Sequence, residues 1–108
     1  NTPMDAMTFD KLERALMNAD RAARQFAESE DNGTCNFDTP VIRIKATEKQ
    51  MASLDYRVVK VGEKGWKDCW FVFIPLMGQG NRRTRMAEAA ARSLIADGFE
   101  AGVYYQMD

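Results

Sequence analysis

The stretch that most limits the fold runs from Lys67 to Gly98, KDCWFVFIPLMGQGNRRTRMAEAAARSLIADG. Its opening, Lys67 to Ile74, is apolar on both faces at its centre, which suits a strand in the interior of a sheet. Gly78 and Gly80 then flank a turn and accept backbone angles that residues with a Cβ avoid. Asn81 is an acceptable N-cap for a helix over residues 82–97, which carries Met86, Ala90 and Leu94 inward with Ala87 and Ile95 beside them. Gly98 stands where a left-handed residue ends that helix. Arg82, Arg83 and Arg85 crowd its first turn, the positive end of the helix dipole, where each cation costs about a few tenths of a kcal/mol. An anion placed there reverses the sign, because backbone N–H and guanidinium groups converge on it.

The rest of the chain supplies the partners for this unit. Phe9, Leu12, Leu16, Ala19, Ala23 and Phe26 recur at steps of three and four residues, which predicts an amphipathic helix over residues 8–31 with Thr8 as its N-cap. Its opposite face is mixed in charge and solvated. Asn32-Gly33 signals a turn, and the polar segment 34–40 leads into a strand over 41–46, where Val41, Arg43 and Lys45 alternate with Ile42, Ile44 and Ala46. Thr47-Glu48-Lys49-Gln50 matches a capping box opening a short helix to about Leu54. A β-rich run over 56–61, the turn 62–65, the strand and helix described above, and a last strand over 99–107 complete the order. Trp70, Phe71 and Phe73 are expected in the core.

After the first helix the order is β-α-β-β-α-β. Right-handed crossovers turn that into an α+β fold of the ferredoxin-like type, a four-stranded antiparallel sheet of order 4-1-3-2 with two helices on one face. The domain reading is a tag remnant or disordered start over 1–7, the extra amphipathic helix over 8–31, and the ferredoxin-like core over 32–108. The extra helix must bury its stripe against the open face of the sheet, along an edge, or against a second copy, which leaves a homodimer open.

Composition removes several function classes. A chain of 108 residues, 45% hydrophobic and 29% charged, is one ordinary globular domain. A net charge of -1 argues against a generic polyanion binder, so nucleic-acid contact requires a local patch. No apolar run reaches membrane-spanning length, and no membrane partner is expected. Histidine is absent, which removes the commonest general base and metal ligand; no metal and no cofactor are expected. Cys35 and Cys69 have no paired spacing and read as free thiols in a reducing cytoplasm.

Antiparallel pairing brings the start of strand one, the end of strand three and the end of strand four to one pole of the sheet. Cys35, Asn36, Asp38, Gln79, Asn81, Arg82, Arg83, Arg85, Tyr104, Gln106 and Asp108 thereby become candidate neighbours, while Cys69 belongs at the opposite pole and cannot bridge to Cys35. Two explanations compete for the arginines. In one they bind an anion, with Asn36 and Gln106 as hydrogen-bonding partners, and charge reversal at Arg82 and Arg83 leaves stability nearly unchanged. In the other they pair with Asp38, Asp108 or the terminal carboxylate and hold the chain end down. Asn36 and Asp38 also suit turns that bond their own backbone. Gly78-Gln79-Gly80 lacks the spacing and the lysine-serine pair of a P-loop. An RNA-recognition module shares the element order, but segment 67–73 lacks its basic-Gly-aromatic-Gly/Ala-aromatic pattern and strand one lacks its aromatic.

Three segments, GTCNFDTP (33–40), GQGNRRTRMAEA (78–89) and YYQMD (104–108), resemble a family of short uncharacterised proteins of Firmicutes, often encoded within phage or conjugative elements. The resemblance spans residues 8–108 and implies a bacterial cytoplasmic protein with a mobile-element accessory role. It carries over no catalytic residue. The leading expectation is a non-enzymatic binding module for an anionic group on nucleic acid or a partner protein. The alternatives are a small enzyme with Cys35 as nucleophile and Asp38 or Asp108 as base, and an inhibitor of a host defence nuclease.

Overall fold

The computed structural model describes residues 2–75 and 78–107. Asn1, Leu76, Met77 and Asp108 lie outside the described residues, and with them the roles expected of Asp108 as a site neighbour, a pairing acid or a base. The elements are α1 (Ala6–Arg24), β1 (Thr39–Arg43), α2 (Glu48–Ala52), β2 (Arg57–Lys60), β3 (Cys69–Phe73), α3 (Gly80–Ala96) and β4 (Glu100–Tyr104). The fold is α+β, with three helices and one antiparallel sheet in the order β2-β3-β1-β4. The two central strands are therefore β3 and β1. Val41 sits opposite Phe71 on one side and Gly102 on the other, which sets the register.

Helix α1 begins earlier than its apolar stripe suggests. Asp5, not Thr8, is the N-cap, and its carboxylate accepts the Thr8 N–H at 2.8 Å. Just before it, the chain is anchored at Met4. Met4 is buried, its N–H donates to Gln50 Oε1 and its carbonyl accepts from Gln50 Nε2, both at 2.9 Å. A disordered start over 1–7 is therefore corrected from residue 4 onward. Thr47 and Gln50 form the expected capping box, but α2 is only five residues long.

That brevity decides where α1 goes. A single turn and a half cannot cover half of a sheet face, so α1 fills the layer beside α3. Leu12, Ala15, Leu16, Ala19 and Ala23 pack with Met86, Ala90 and Leu94 over Ile42, Trp70 and Val72. Each buried leucine contributes about 1.5–3 kcal/mol relative to exposure. Neither the open sheet face nor a sheet edge receives the stripe, and α1 is part of the core rather than an appendage to it. Asp20 is buried within this layer and offset by Arg24 Nε at 2.7 Å and the Tyr56 hydroxyl at 2.8 Å. Burial first, then the Asp20 contact, pushes the Tyr56 phenol up to about 12.

Trp70 is buried as expected and donates its indole N–H to the Ile44 carbonyl at 3.0 Å. Phe71 and Phe73 correct the core assignment, because strand alternation turns them to the other face. There Phe71 joins Val41, Val61, Cys69, Trp66 and Tyr104 in a second, smaller cluster. Ile95, expected at the flank of the core, is 53% exposed. Gly98 takes φ +93° and its N–H donates to the Ile95 carbonyl, closing α3 in the expected way.

Candidate functional site

At the pole where α3 begins, the chain folds residues 29–38 over the helix start. Helix α3 opens at Gly80 with Gln79 as N-cap, and Gln79 makes no side-chain cap bond. Asn81 is thus inside the first turn instead of capping it. The exposed N–H groups are satisfied from outside the helix. The Asn81 N–H donates to the Asn32 carbonyl at 2.7 Å, and the Gln79 N–H donates to Asp31 Oδ1 at 2.9 Å. Gly80 makes this approach feasible. Its φ is +54°, and a Cβ there would run into the Asn32 carbonyl oxygen.

The arginines complete the clasp. Arg82 donates from Nε at 3.0 Å and from Nη2 at 2.8 Å to the Ser29 carbonyl, and its Nη1 lies 3.7 Å from Asp31 Oδ2. Arg83 donates from Nε to the Asp38 carbonyl at 2.8 Å and from Nη2 to Thr39 Oγ1 at 3.2 Å. Arg85 donates from Nη2 to the Glu30 carbonyl at 2.7 Å. Burial pulls the Arg83 guanidinium below its ordinary range, with the Asp38 carboxylate opposing the shift. The chain's own Asp31 carboxylate therefore stands where the sequence places an anion, at a helix N-terminus beside a guanidinium. The sequence also names Asp38 as a pairing partner for the arginines, and Arg83 reaches its carbonyl instead of its carboxylate.

Asp38 is the junction of the three segments. It is only 6% exposed. Its Oδ2 accepts the Thr84 hydroxyl at 2.7 Å, and its Oδ1 accepts the Gln106 N–H at 2.9 Å. The Phe37 N–H donates to the Gln106 carbonyl at 2.7 Å, and Asn36 bridges Met107 in antiparallel fashion. Asn36 Nδ2 donates to the Gly80 carbonyl at 2.9 Å and to Thr84 Oγ1 at 3.1 Å, while its Oδ1 accepts the Asp38 N–H at 3.0 Å. The Cys35 thiol donates to Gln79 Oε1 at 3.1 Å. A hollow of about 360 Å³ opens here, bordered by Thr34, Asn36, Asp38, Thr84, Tyr105 and Gln106.

The structure thus unites Cys35, Asn36, Asp38, Gln79, Asn81, Arg82, Arg83, Arg85 and Gln106. Tyr104 departs from that group. Its side chain lies on the open sheet face, 5.0 Å between ring centroids from Trp66, with its hydroxyl donating to Glu63. Tyr105 takes the place at the pole, donating to Glu88 at 2.6 Å, a bond that with burial and the Glu88 charge pushes its phenol up to about 12. Sequence reasoning also missed Asp31, Thr39 and Thr84. Asp31 falls at the end of the helix expected over 8–31, and Thr84 stands one helical turn after Gly80, where its hydroxyl meets the Gly80 carbonyl at 3.3 Å.

The polar groups at the pole largely engage one another. The Asp38 carboxylate, the expected base, is engaged by Thr84 and Gln106, and the Cys35 thiol is engaged by Gln79. Both cysteines are free, Cys35 exposed and Cys69 buried. Among the described residues, no three His, Cys, Asp or Glu side chains are grouped to hold a metal, and no helix is long and apolar enough to cross a membrane. The chain matches no family model, no curated protein and no solved structure.

Proposed function

We propose that this chain is a non-enzymatic binding module of ferredoxin-like topology that recognises an anionic group of a partner at the α3 pole. The supporting observation is the clasp itself: three segments far apart in sequence are fixed together, with Gln79, Asn81 and Gln106 facing solvent beside Arg83 and Arg85. Arg82 serves the fold, with two donors on one carbonyl. Arg85 spends one donor on the Glu30 carbonyl, so the rest of its fork is the principal cation for a ligand. Phe37, Tyr105 and Met107 are 49%, 62% and 70% exposed around the same pole and supply apolar contact to a partner. A mobile-element accessory role in the bacterial cytoplasm accords with the resemblance of residues 33–40, 78–89 and 104–108.

Titration with inorganic phosphate, followed by amide NMR shifts, tests this reading. Saturable shifts at Gln79, Asn81 and Gln106 are expected. Arg85→Ala removes them while moving the melting temperature by no more than about 3 °C, since one exposed bond is worth about 0.5 kcal/mol. An absence of saturable shifts at the pole, or shifts unchanged by Arg85→Ala, overturns it.

A further inference from the structure

The sheet face turned away from the helices carries a second, independent arrangement. Directly paired residues on antiparallel strands project to the same side. One row across the sheet reads Val59, Phe71, Val41, Gly102. In the next row Arg57 pairs with Phe73, and Thr39 pairs with Tyr104. Phe71 and Phe73 are neighbours at 6.2 Å, Phe71 meets Tyr104 edge-on at 5.2 Å, and Trp66 folds down from the β2–β3 turn against Tyr104. Four half-buried aromatic rings therefore share one open face, centred on β3. Gly102 leaves a gap in this row with nothing near the place of a Cβ, and beside it lies a hollow of about 180 Å³ under Trp66, bordered by Val41, Arg43 and Cys69.

Charge on this side is unlike that of the chain as a whole. The strands and turns around it carry Arg43, Lys45, Arg57, Lys64 and Lys67 against Glu63, Asp68 and Glu100, five cations to three carboxylates. Arg57 lies 4.9 Å from the Phe73 ring centre, and Arg43 projects from β1 on the same face. Lys45, Lys64 and Lys67 stand on the adjoining strand end and turns. Of the opposing acids, Glu63 accepts from Tyr104, Glu100 lies 3.6 Å from Arg43, and Asp68 also adjoins Arg43. Rings that offer stacking surface, bordered by cations that track a phosphate backbone, suit unpaired bases on a charged strand.

We infer that the open sheet face docks a short single-stranded nucleic acid, its bases stacking on Phe71, Phe73 and Trp66 and its phosphates meeting Arg57 and Arg43. The ligand chemistry is base plus phosphate, so deoxy- and ribo-oligomers of equal sequence are equivalent to the face. Four strands span about 14 Å, room for two or three nucleotides. The site is separate from the α3 pole and does not depend on the arginines there.

The test is fluorescence anisotropy of labelled dT8 and U8 at 50 mM and 200 mM salt, with an eight-base-pair hairpin duplex as the comparison. Both single strands are expected to bind, to weaken as salt rises, and to outcompete the duplex. Phe73→Ala and Arg57→Ala should each weaken binding roughly tenfold. Arg57 is exposed, so its variant keeps the fold even where Phe73→Ala does not. Arg85→Ala should leave strand binding unchanged, which separates this inference from the phosphate site at the pole. Failure of both strands to bind, equal binding of the duplex, or insensitivity to Arg57→Ala overturns it. So does a sedimentation result in which the chain pairs through this face and excludes the strand.

Discussion

Replacing Asp38 with alanine removes the acceptor on which three segments converge. Two bonds to a charged oxygen are lost, at 2.7 and 2.9 Å, each worth about 1.5–3 kcal/mol. The loss at Thr84 is softened, because its hydroxyl also reaches the Gly80 carbonyl at 3.3 Å. The Gln106 N–H sits near the surface and regains water in part. The net cost is therefore about 2–4 kcal/mol, in a domain whose whole stability is about 5–15 kcal/mol. At about 5 °C per kcal/mol for a chain of this size, the melting temperature should fall roughly 10–20 °C. Asp38→Asn keeps one acceptor oxygen and should lose about half as much. Asp10→Ala, at an exposed position on α1, should shift the midpoint by less than about 3 °C and serves as the reference. Circular dichroism at 222 nm, melted at pH 7, reads all three. A midpoint for Asp38→Ala within 3 °C of the parent chain refutes the claim that this carboxylate fastens the pole.

Gly80→Ala should cost more than about 2 kcal/mol in chemical denaturation, because a left-handed φ and the Asn32 carbonyl both oppose a Cβ, whereas Gly102→Ala, with open space around it, should cost less than about 1. All three tyrosines have raised phenols, Tyr56 and Tyr105 to about 12, so tyrosinate absorbance at 295 nm should rise well above pH 10 while the chain stays folded. The folded chain holds those protons more tightly than the unfolded one, so this stabilisation is complete below pH 10 and is lost as pH climbs toward 12; a single midpoint at 10 contradicts it. Ellman's reagent should titrate Cys35 rapidly in the native chain and Cys69 only on unfolding, and equal rates for the two thiols refute their assigned exposures.

Much of this architecture was readable from residue spacing. The capping box at Thr47, the interior strand around Trp70, and the glycine stop at Gly98 are local signals, and local signals survive tertiary context. The convergence of Cys35, Gln79 and Gln106 was readable too, because antiparallel pairing fixes which strand ends are neighbours. What the spacing did not reveal was long-range. Periodicity reports that Leu12 and Leu16 are buried but not what buries them, and only the shortness of α2 sends α1 to the helical layer. Phe71 and Phe73 alternate with Trp70 and Val72, yet a strand apolar on both faces does not say which face the helices cover. Tyr104 and Tyr105 are adjacent, and one residue of register exchanges their faces. The arginines posed the hardest case. A cation in the first turn of a helix looks like a waiting anion site, and nothing local shows that carbonyls of residues 29, 30 and 38 will reach it first.

Residues 29–38 are held against the start of α3 by the chain's own atoms. Native-state amide hydrogen exchange at Asn81 and Gln106 measures that hold directly, since their N–H groups donate to Asn32 and Asp38 across the contact. Protection of both at levels near those of the β1 and β3 amides is the expected result. Exchange at either position as fast as in an unstructured peptide would mean that the loop is not clasped, and the described pole would not exist in solution.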